Sequence, residues 1–158
     1  MNGERAKIKA LDIHLSLGDY SVLKRYSDCP NEVANYLKEI LRELAEPLCP
    51  LDRYEQFRDI PKGLSPEQKL DKIVDLMYGM PELNRTTILY LARFLNKVVE
   101  LSEHNKMNAY NVAVIVTPNI FRAKQITSKD LMNHGTLSDV FTLIMGNVDT
   151  IIKQVEER

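Results

Sequence analysis

Between Pro81 and about His104, apolar residues return every three or four positions, at Ile88, Leu91, Ala92, Leu95, Val98 and Val99. That is the period of an α-helix, and Leu89, Phe94 and Leu101 carry the apolar surface further round its girth. A helix so broadly apolar is expected at the centre of a core. The rest of the chain supplies helices to cover it. Leu37, Ile40, Leu41 and Leu44 form one stripe, continued backwards by Val33 and Ala34, in a helix starting near Asn31. Pro30 suits its first turn, Asp28 is a candidate cap, and Pro47 and Pro50 end it.

Other elements follow the same signals. Ala6, Ile8, Leu11 and Leu15 predict a first helix stopped by Gly18. Asp19 to Asp28 reads as an irregular connection with Tyr20, Leu23 and Tyr26 turned inward. Tyr54, Phe57 and Ile60 mark a short helix before Pro61-Lys62-Gly63. Ser65-Pro66-Glu67-Gln68 has the form of a capping box and opens a helix carrying Leu70, Ile73, Val74 and Met77, closed by Gly79. Val112 to Val116 is β-branched enough to read as a buried strand. With no second strand to pair with, it is expected to be a buried helix ended by Pro118. Phe121 to Thr136 is polar and turn-rich, with Leu131 and Met132 as a brief docking turn. Leu137 onward is helical, with Val140, Leu143, Ile144 and Val148 inward. The expectation is an all-α bundle of about eight elements in a single domain of 158 residues.

Composition narrows what such a bundle does. A net charge of −1 gives no broad attraction to nucleic acid or an acidic membrane. No apolar run is long enough to span a bilayer, and the first residues lack a signal-peptide pattern. Cys29 and Cys49 fall in no metal spacing and read as free thiols in a reducing, cytoplasmic setting. His14, His104 and His134 fit no ligand or triad spacing and are expected at the surface or at caps. The isolated glycines form no phosphate loop. An active site of the chain's own is therefore not expected, nor any metal or cofactor.

Two segments resist a purely structural account. Lys38 and Arg42 lie four residues apart, off the apolar stripe, and like charges so placed cost a helix about 0.2–0.5 kcal/mol. They are either a solvated basic face, partly neutralised by Glu39 and Glu43, or cations aimed at a partner or a neighbouring loop. The second segment, Asn105 to Asn119, sets several carboxamides around a short apolar helix. Asn108 and Asn119 suit helix ends, whereas Asn111 lies inside the helix and needs a partner if buried.

The stretch Leu-Lys-x-x-Leu-Arg-Glu-Leu-x-Glu-Pro-Leu from Leu37 to Leu48, followed by Asn-Lys-Met-x-x-x-Asn-x-Ala-x-x-x-x-Pro-Asn from Asn105 to Asn119, resembles the Rho GTPase-activating protein (RhoGAP) domain. The resemblance runs from Gly3 to about Ile152. It implies an all-helical RhoGAP-like bundle that binds the switch regions of a Rho- or Rac-family small GTPase and accelerates GTP hydrolysis in trans. GTP and Mg would be the partner's. Lys38, Asn111 and Val114 match residues at the GTPase-binding surface, and Arg42 matches the arginine that braces the catalytic loop.

The chain also departs from the family pattern. Ala45 stands at a usual proline, Val116-Thr117-Pro118 replaces the common Phe-Gly-Pro, and Thr136 lies about where a proline often meets the partner. In the family a catalytic arginine precedes the first helix in a pattern like Phe-Arg-x-x-Gly. Gly3 matches that glycine, so the arginine would fall just before Met1, and Arg5 is the nearest substitute. The expectation is a domain without its N-terminal helices and finger loop, which binds but activates poorly, and whose uncovered surface would be open to a second copy. The alternative is a non-catalytic interaction module of the RhoGAP or breakpoint-cluster-homology type.

Overall fold

The computed structural model describes residues 3–158, without the side chains of Glu4, Leu131, Met132 and His134. The docking of Leu131 and Met132 and the setting of His134 thus lie outside what is described. Among the described residues there are helices and no strands, arranged in two compact units, Met1–Leu44 and Ala45–Arg158.

The first unit holds α1 (Gly3–Ser16), a 3₁₀ helix (Tyr20–Tyr26) and α2 (Pro30–Glu43). Gly18 ends α1 at φ +78°, a left-handed conformation that glycine adopts without steric cost. Asp19 caps the 3₁₀ helix, accepting from the Ser21 amide at 3.2 Å, and its other oxygen meets His14 Nδ1 at 2.9 Å. Leu11, Val22 and Tyr36 form the core, with Ile8, Leu15, Tyr26 and Val33 against it. The Tyr36 hydroxyl donates to Asp12 Oδ1 at 2.8 Å. Burial, then the Asp12 carboxylate, pushes that phenol up to about 12.

Three expectations are corrected in this unit. The connection is helical, and Val22 turns inward with Tyr26 packed beside it as expected, while Tyr20 and Leu23 stay exposed. Asp28 does not cap α2; Cys29 occupies the N-cap position, with no side-chain hydrogen bond, and Pro30 follows in the first turn. The stripe Leu37, Ile40 and Leu44 is 39, 41 and 36% exposed, whereas Tyr36 and Leu41 are buried. The apolar partners that α1 and the 3₁₀ helix bring to α2 meet Val33, at the N-terminal end of the stripe, and Tyr36 beside it.

The second unit holds α3 (Leu51–Arg58), α4 (Pro66–Tyr78), α5 (Glu82–Glu100), α6 (Ser102–Asn105), α7 (Ala109–Ile120), α8 (Ser128–Met132), α9 (His134–Gly146) and α10 (Val148–Glu156). The Ser65–Gln68 capping box forms as read from sequence. The central helix, however, is α9. It packs on α3, α4, α5, α7, α8 and α10, and Leu137, Val140, Phe141, Ile144 and Met145 are all buried. Phe121 bridges Phe57 and Phe141 edge-on, with ring centroids 5.4 and 6.4 Å away. In α5, Ile88, Leu89, Leu91, Ala92 and Leu95 are buried, but Phe94 and, at the C-cap, Leu101 stay exposed.

Pro118 does not end α7, which runs on to Ile120. A proline there removes the donor that would meet the carbonyl four residues back. The turn is closed by Asn119, whose Nδ2 donates to the carbonyls of Ile115 (2.8 Å) and Val116 (3.3 Å).

A buried ionic cluster fixes the polar segment after α7. Arg58 Nη1 donates to Asp130 Oδ1 at 2.7 Å, while Nε and Nη2 grip both oxygens of Asp59 at 2.9 and 3.1 Å. Tyr54 adds a hydroxyl to Asp130 at 2.9 Å, the Thr127 amide donates to its other oxygen at 2.7 Å, and Lys129 reaches Asp59 at 2.6 Å. Thr127 and Asp130 complete a capping box at the start of α8. Arg58, then Lys129, hold the Asp59 carboxyl down to about 2; Thr127, then Arg58, hold Asp130 well below the usual carboxylate range.

Both carboxyls are lower in the folded chain than near 4, their unfolded value. Their stabilising effect is therefore complete above about pH 5 and is lost as pH falls through about 4 to 2 and below. Arg58→Met should lower stability by about 3 kcal/mol at neutral pH, because it strands the buried Asp130 carboxylate. The same variant should flatten the acid limb between about pH 4 and 2. Urea unfolding followed by circular dichroism across pH checks both.

Candidate functional site

The first group of site residues lies on α2. Lys38 is half-buried and Arg42 exposed, one turn apart. Leu37, Ile40 and Leu44 share the outer part of this helix, so its accessible side mixes cations with aliphatic surface, a composition suited to a protein interface. The tail of the first motif lies in the second unit. Leu48 and Cys49 are buried there, the Leu48 carbonyl accepts from Asn84 Nδ2 at 2.9 Å, and the Cys49 amide donates to the Ile120 carbonyl at 3.0 Å. Burial pushes the Cys49 thiol strongly up. Both cysteines are free.

The second group is built by the turn between α5 and α7. Asn105 Nδ2 donates to the Val98 carbonyl at 2.7 Å, and its Oδ1 accepts from the Met107 amide at 2.8 Å. Its side chain thus ties the end of α5 to the next segment. Lys106 takes a left-handed φ of 61°, sparsely populated for a residue with a Cβ. Asn108 then caps α7, its Oδ1 accepting from the Asn111 amide at 2.8 Å. This cap places Asn111 in the first turn of α7.

α7 divides cleanly by face. Val112, Ala113, Val116, Thr117 and Ile120 are buried, whereas Tyr110, Asn111, Val114, Ile115 and Pro118 face outward. Asn111 and Val114, three residues apart, are adjacent on that outer face. The carboxamide of Asn111 is exposed, so no internal partner is required. Tyr110 (51% exposed) and Ile115 (46%) extend the face and were not singled out from sequence. The signal was present: once Val112, Ala113 and Val116 are taken as the inner side, Tyr110 and Ile115 fall opposite.

Two positions from the sequence reading are placed otherwise. Thr136, set against a partner-contacting proline, is only 5% exposed and offers little surface. Arg5 is exposed in the first turn of α1, with its backbone already helical. Among the described residues no group of three or more His, Cys, Asp or Glu is disposed to hold a metal, and no helix is long and apolar enough to cross a membrane.

These features define an all-helical module with exposed faces of mixed polar and apolar character on α2 and α7. The profile of the RhoGAP domain matches residues 1–125, and the chain belongs to that family. It is 32% identical over 153 residues to Rho GTPase-activating protein gacY of Dictyostelium discoideum, covering 96% of this chain and 21% of that protein. It is 31% identical over 150 residues to mouse Rho GTPase-activating protein 17, covering 95% of this chain and 17% of that protein. The chain therefore spans about a fifth of the length of these relatives. Among solved structures, human Rho GTPase activating protein 15 superposes with a TM-score of 0.72 at 25% identity, over 78% of this chain and 59% of that one. The BH domain of GRAF gives 0.71 at 24% identity, over 77% of this chain and 65% of that one, and so supports the fold alone.

Asn108→Ala should cost about 1 kcal/mol by removing the cap of α7. It should also speed amide exchange at Asn111, whose N–H loses its acceptor. Thermal unfolding and residue-resolved hydrogen exchange measure the two effects.

Proposed function

We propose that the chain binds the switch regions of a GTP-bound Rho- or Rac-family GTPase, in the cytoplasm, and that as a polypeptide it stimulates hydrolysis only weakly. The observation that carries the reading is the outer face of α7, where Asn111 and Val114 stand exposed behind the Asn105-Lys106-Met107 turn, in a chain that belongs to the RhoGAP family. Asn111 offers a donor and an acceptor to switch-region backbone, and Val114 an apolar contact beside it. Lys38 supplies a cation from α2, and Arg42 braces the loop that leads into Gly3. GTP and Mg are carried by the partner, and no cofactor is held by this chain.

Catalysis in trans needs charge delivered to the transferring phosphoryl group. An arginine finger is worth roughly 10³–10⁵ in rate, or about 4–7 kcal/mol of transition-state stabilisation. Within residues 1–158 the arginine nearest to Gly3 is Arg5. Arg5 sits in the first turn of α1, past the glycine, and reaching an active site would require unwinding that turn. Interactions that are equal in ground and transition states give affinity without rate. Residual stimulation would come from ordering the partner's own water-positioning glutamine. The place of Arg5 within helical backbone favours a second reading, a non-catalytic interaction module on this fold.

Single-turnover hydrolysis and binding, measured side by side on Rho and Rac, separate the readings. The expected result is binding selective for the GTP form, with slight acceleration that rises by on the order of 10³ or more when an arginine-bearing loop is added before Gly3. Strong acceleration by the chain as it stands, abolished by Arg5→Ala, would overturn the weak-activator reading. Failure to bind any Rho-family GTPase would favour the non-GTPase module. Asn111→Ala should weaken binding by about 0.5–1.5 kcal/mol with thermal stability unchanged; equal binding by the variant would remove Asn111 from the contact surface.

A further inference from the structure

Pro118 leaves one backbone acceptor in α7 without its helical donor. In an α-helix the carbonyl of each residue accepts from the amide four positions on, so the Val114 carbonyl points along the axis toward position 118. A proline there has no N–H to give, and its ring crowds that carbonyl. Pro118 lies inside α7, which continues to Ile120. The carbonyls a helix leaves unmet at its C-terminus are its last four, here those of residues 117–120. Val114 precedes them, so its missing donor is due to the proline alone.

Side chains of the same turn do not replace that donor. Asn119 Nδ2 is engaged with the carbonyls of Ile115 and Val116. Thr117 Oγ1, three residues beyond Val114, is buried on the inner side and has no hydrogen-bond partner among the described residues. Val114, 36% exposed, and the exposed Pro118 share the outer face one turn apart, and the carbonyl lies between them. In the free chain water meets it. A partner that covers Asn111 and Val114 excludes that water, and a buried acceptor left unmet carries its full desolvation penalty.

We propose that the Val114 carbonyl is a specificity-determining acceptor of the GTPase-binding face, taking a hydrogen bond from an N–H donor on the partner's switch surface. The proposal rests on the Rho- or Rac-family reading of this face and adds a backbone group to the side-chain contacts of Asn111 and Val114. Pro118 acts in it as a positioning residue: by withholding its own donor it keeps the acceptor open to the partner. A switch surface that set a carboxylate or another carbonyl at this point would be disfavoured, because two acceptors would then face each other with water excluded.

Pro118→Ala supplies the missing N–H in the full chain. It should raise the unfolding temperature, because alanine suits a helix interior far better than proline. The new amide should be protected from hydrogen exchange, since it donates to the Val114 carbonyl. Calorimetric titration with Rho and Rac loaded with a non-hydrolysable GTP analogue should nonetheless show affinity falling on the order of tenfold, because the partner's donor meets an acceptor already engaged. A gain in stability joined to a loss of affinity is not the behaviour of a purely architectural proline. Pro118→Val brings the same N–H while keeping a similar apolar surface, so it should lose affinity as Pro118→Ala does. A loss confined to Pro118→Ala would assign the contact to the proline ring. Parent-like binding by both variants, with Asn111→Ala binding weakly, would show the carbonyl unused. Either result overturns the proposal and leaves the GTPase reading standing, whereas failure of the parent chain to bind overturns that reading and this proposal together.

Discussion

The contact between Arg58 and Asp130 is the constraint on which the larger unit's arrangement depends. The segment from Phe121 to Thr127 joins α7, which carries the outward binding face, to the short helix α8, and α9, the centre of the core, follows directly. Past Phe121, which docks between Phe57 and Phe141, that connection is largely polar and its Ile126 stays exposed. A buried guanidinium on α3, sharing its donors between Asp59 and Asp130, holds the end of the segment in place, and the Thr127 capping box completes the coordination. Burying these charges costs hydration, which dense hydrogen bonding offsets only when every partner is present. The cluster thus acts as a latch that is secure when complete and a liability when any member is removed.

Helix type was legible almost throughout because amphipathic period and capping chemistry are local. The Ser65–Gln68 box, the Gly18 stop and the Asn108 cap all formed where the residues pointed. Length misled on rank among the helices. α5 is the longer, but it carries five Asp, Glu, Lys or Arg residues where α9 carries Asp139 alone, and it is α9 that is surrounded. The Arg58–Asp130 pair was invisible for a different reason: 72 residues separate the partners, and charges so far apart carry no pairing signal. In α2, the Leu37–Ile40–Leu44 stripe has the period of a core face, but period reports amphipathicity and not what covers it.

Within the candidate site, the family motif picked out Asn111 and Val114 because their spacing was distinctive, and the structure places both outward on one helix. Tyr110 and Ile115 escaped notice, since they are embedded in a run of apolar residues whose inner and outer members look alike in one dimension. The motif residue Asn105 proved to be architectural, its amide joining the Val98 carbonyl to the Met107 amide. Part of what such a motif preserves is therefore the approach to the surface, while a smaller part is the surface itself.

Cys49 lends the second unit an internal clock. Its thiol has no solvent-accessible surface and is held protonated by burial, while its amide is tied to the last turn of α7. Electrophiles and oxidants can reach it only when that packing opens, so its rate of modification is set by how often the unit breathes, not by the reactivity of sulfur. Cys29, half-buried in the first unit, answers on a different schedule. Of the two thiols, Cys49 alone thereby records the opening of the unit that holds it, while the partly exposed Cys29 can react without any such opening.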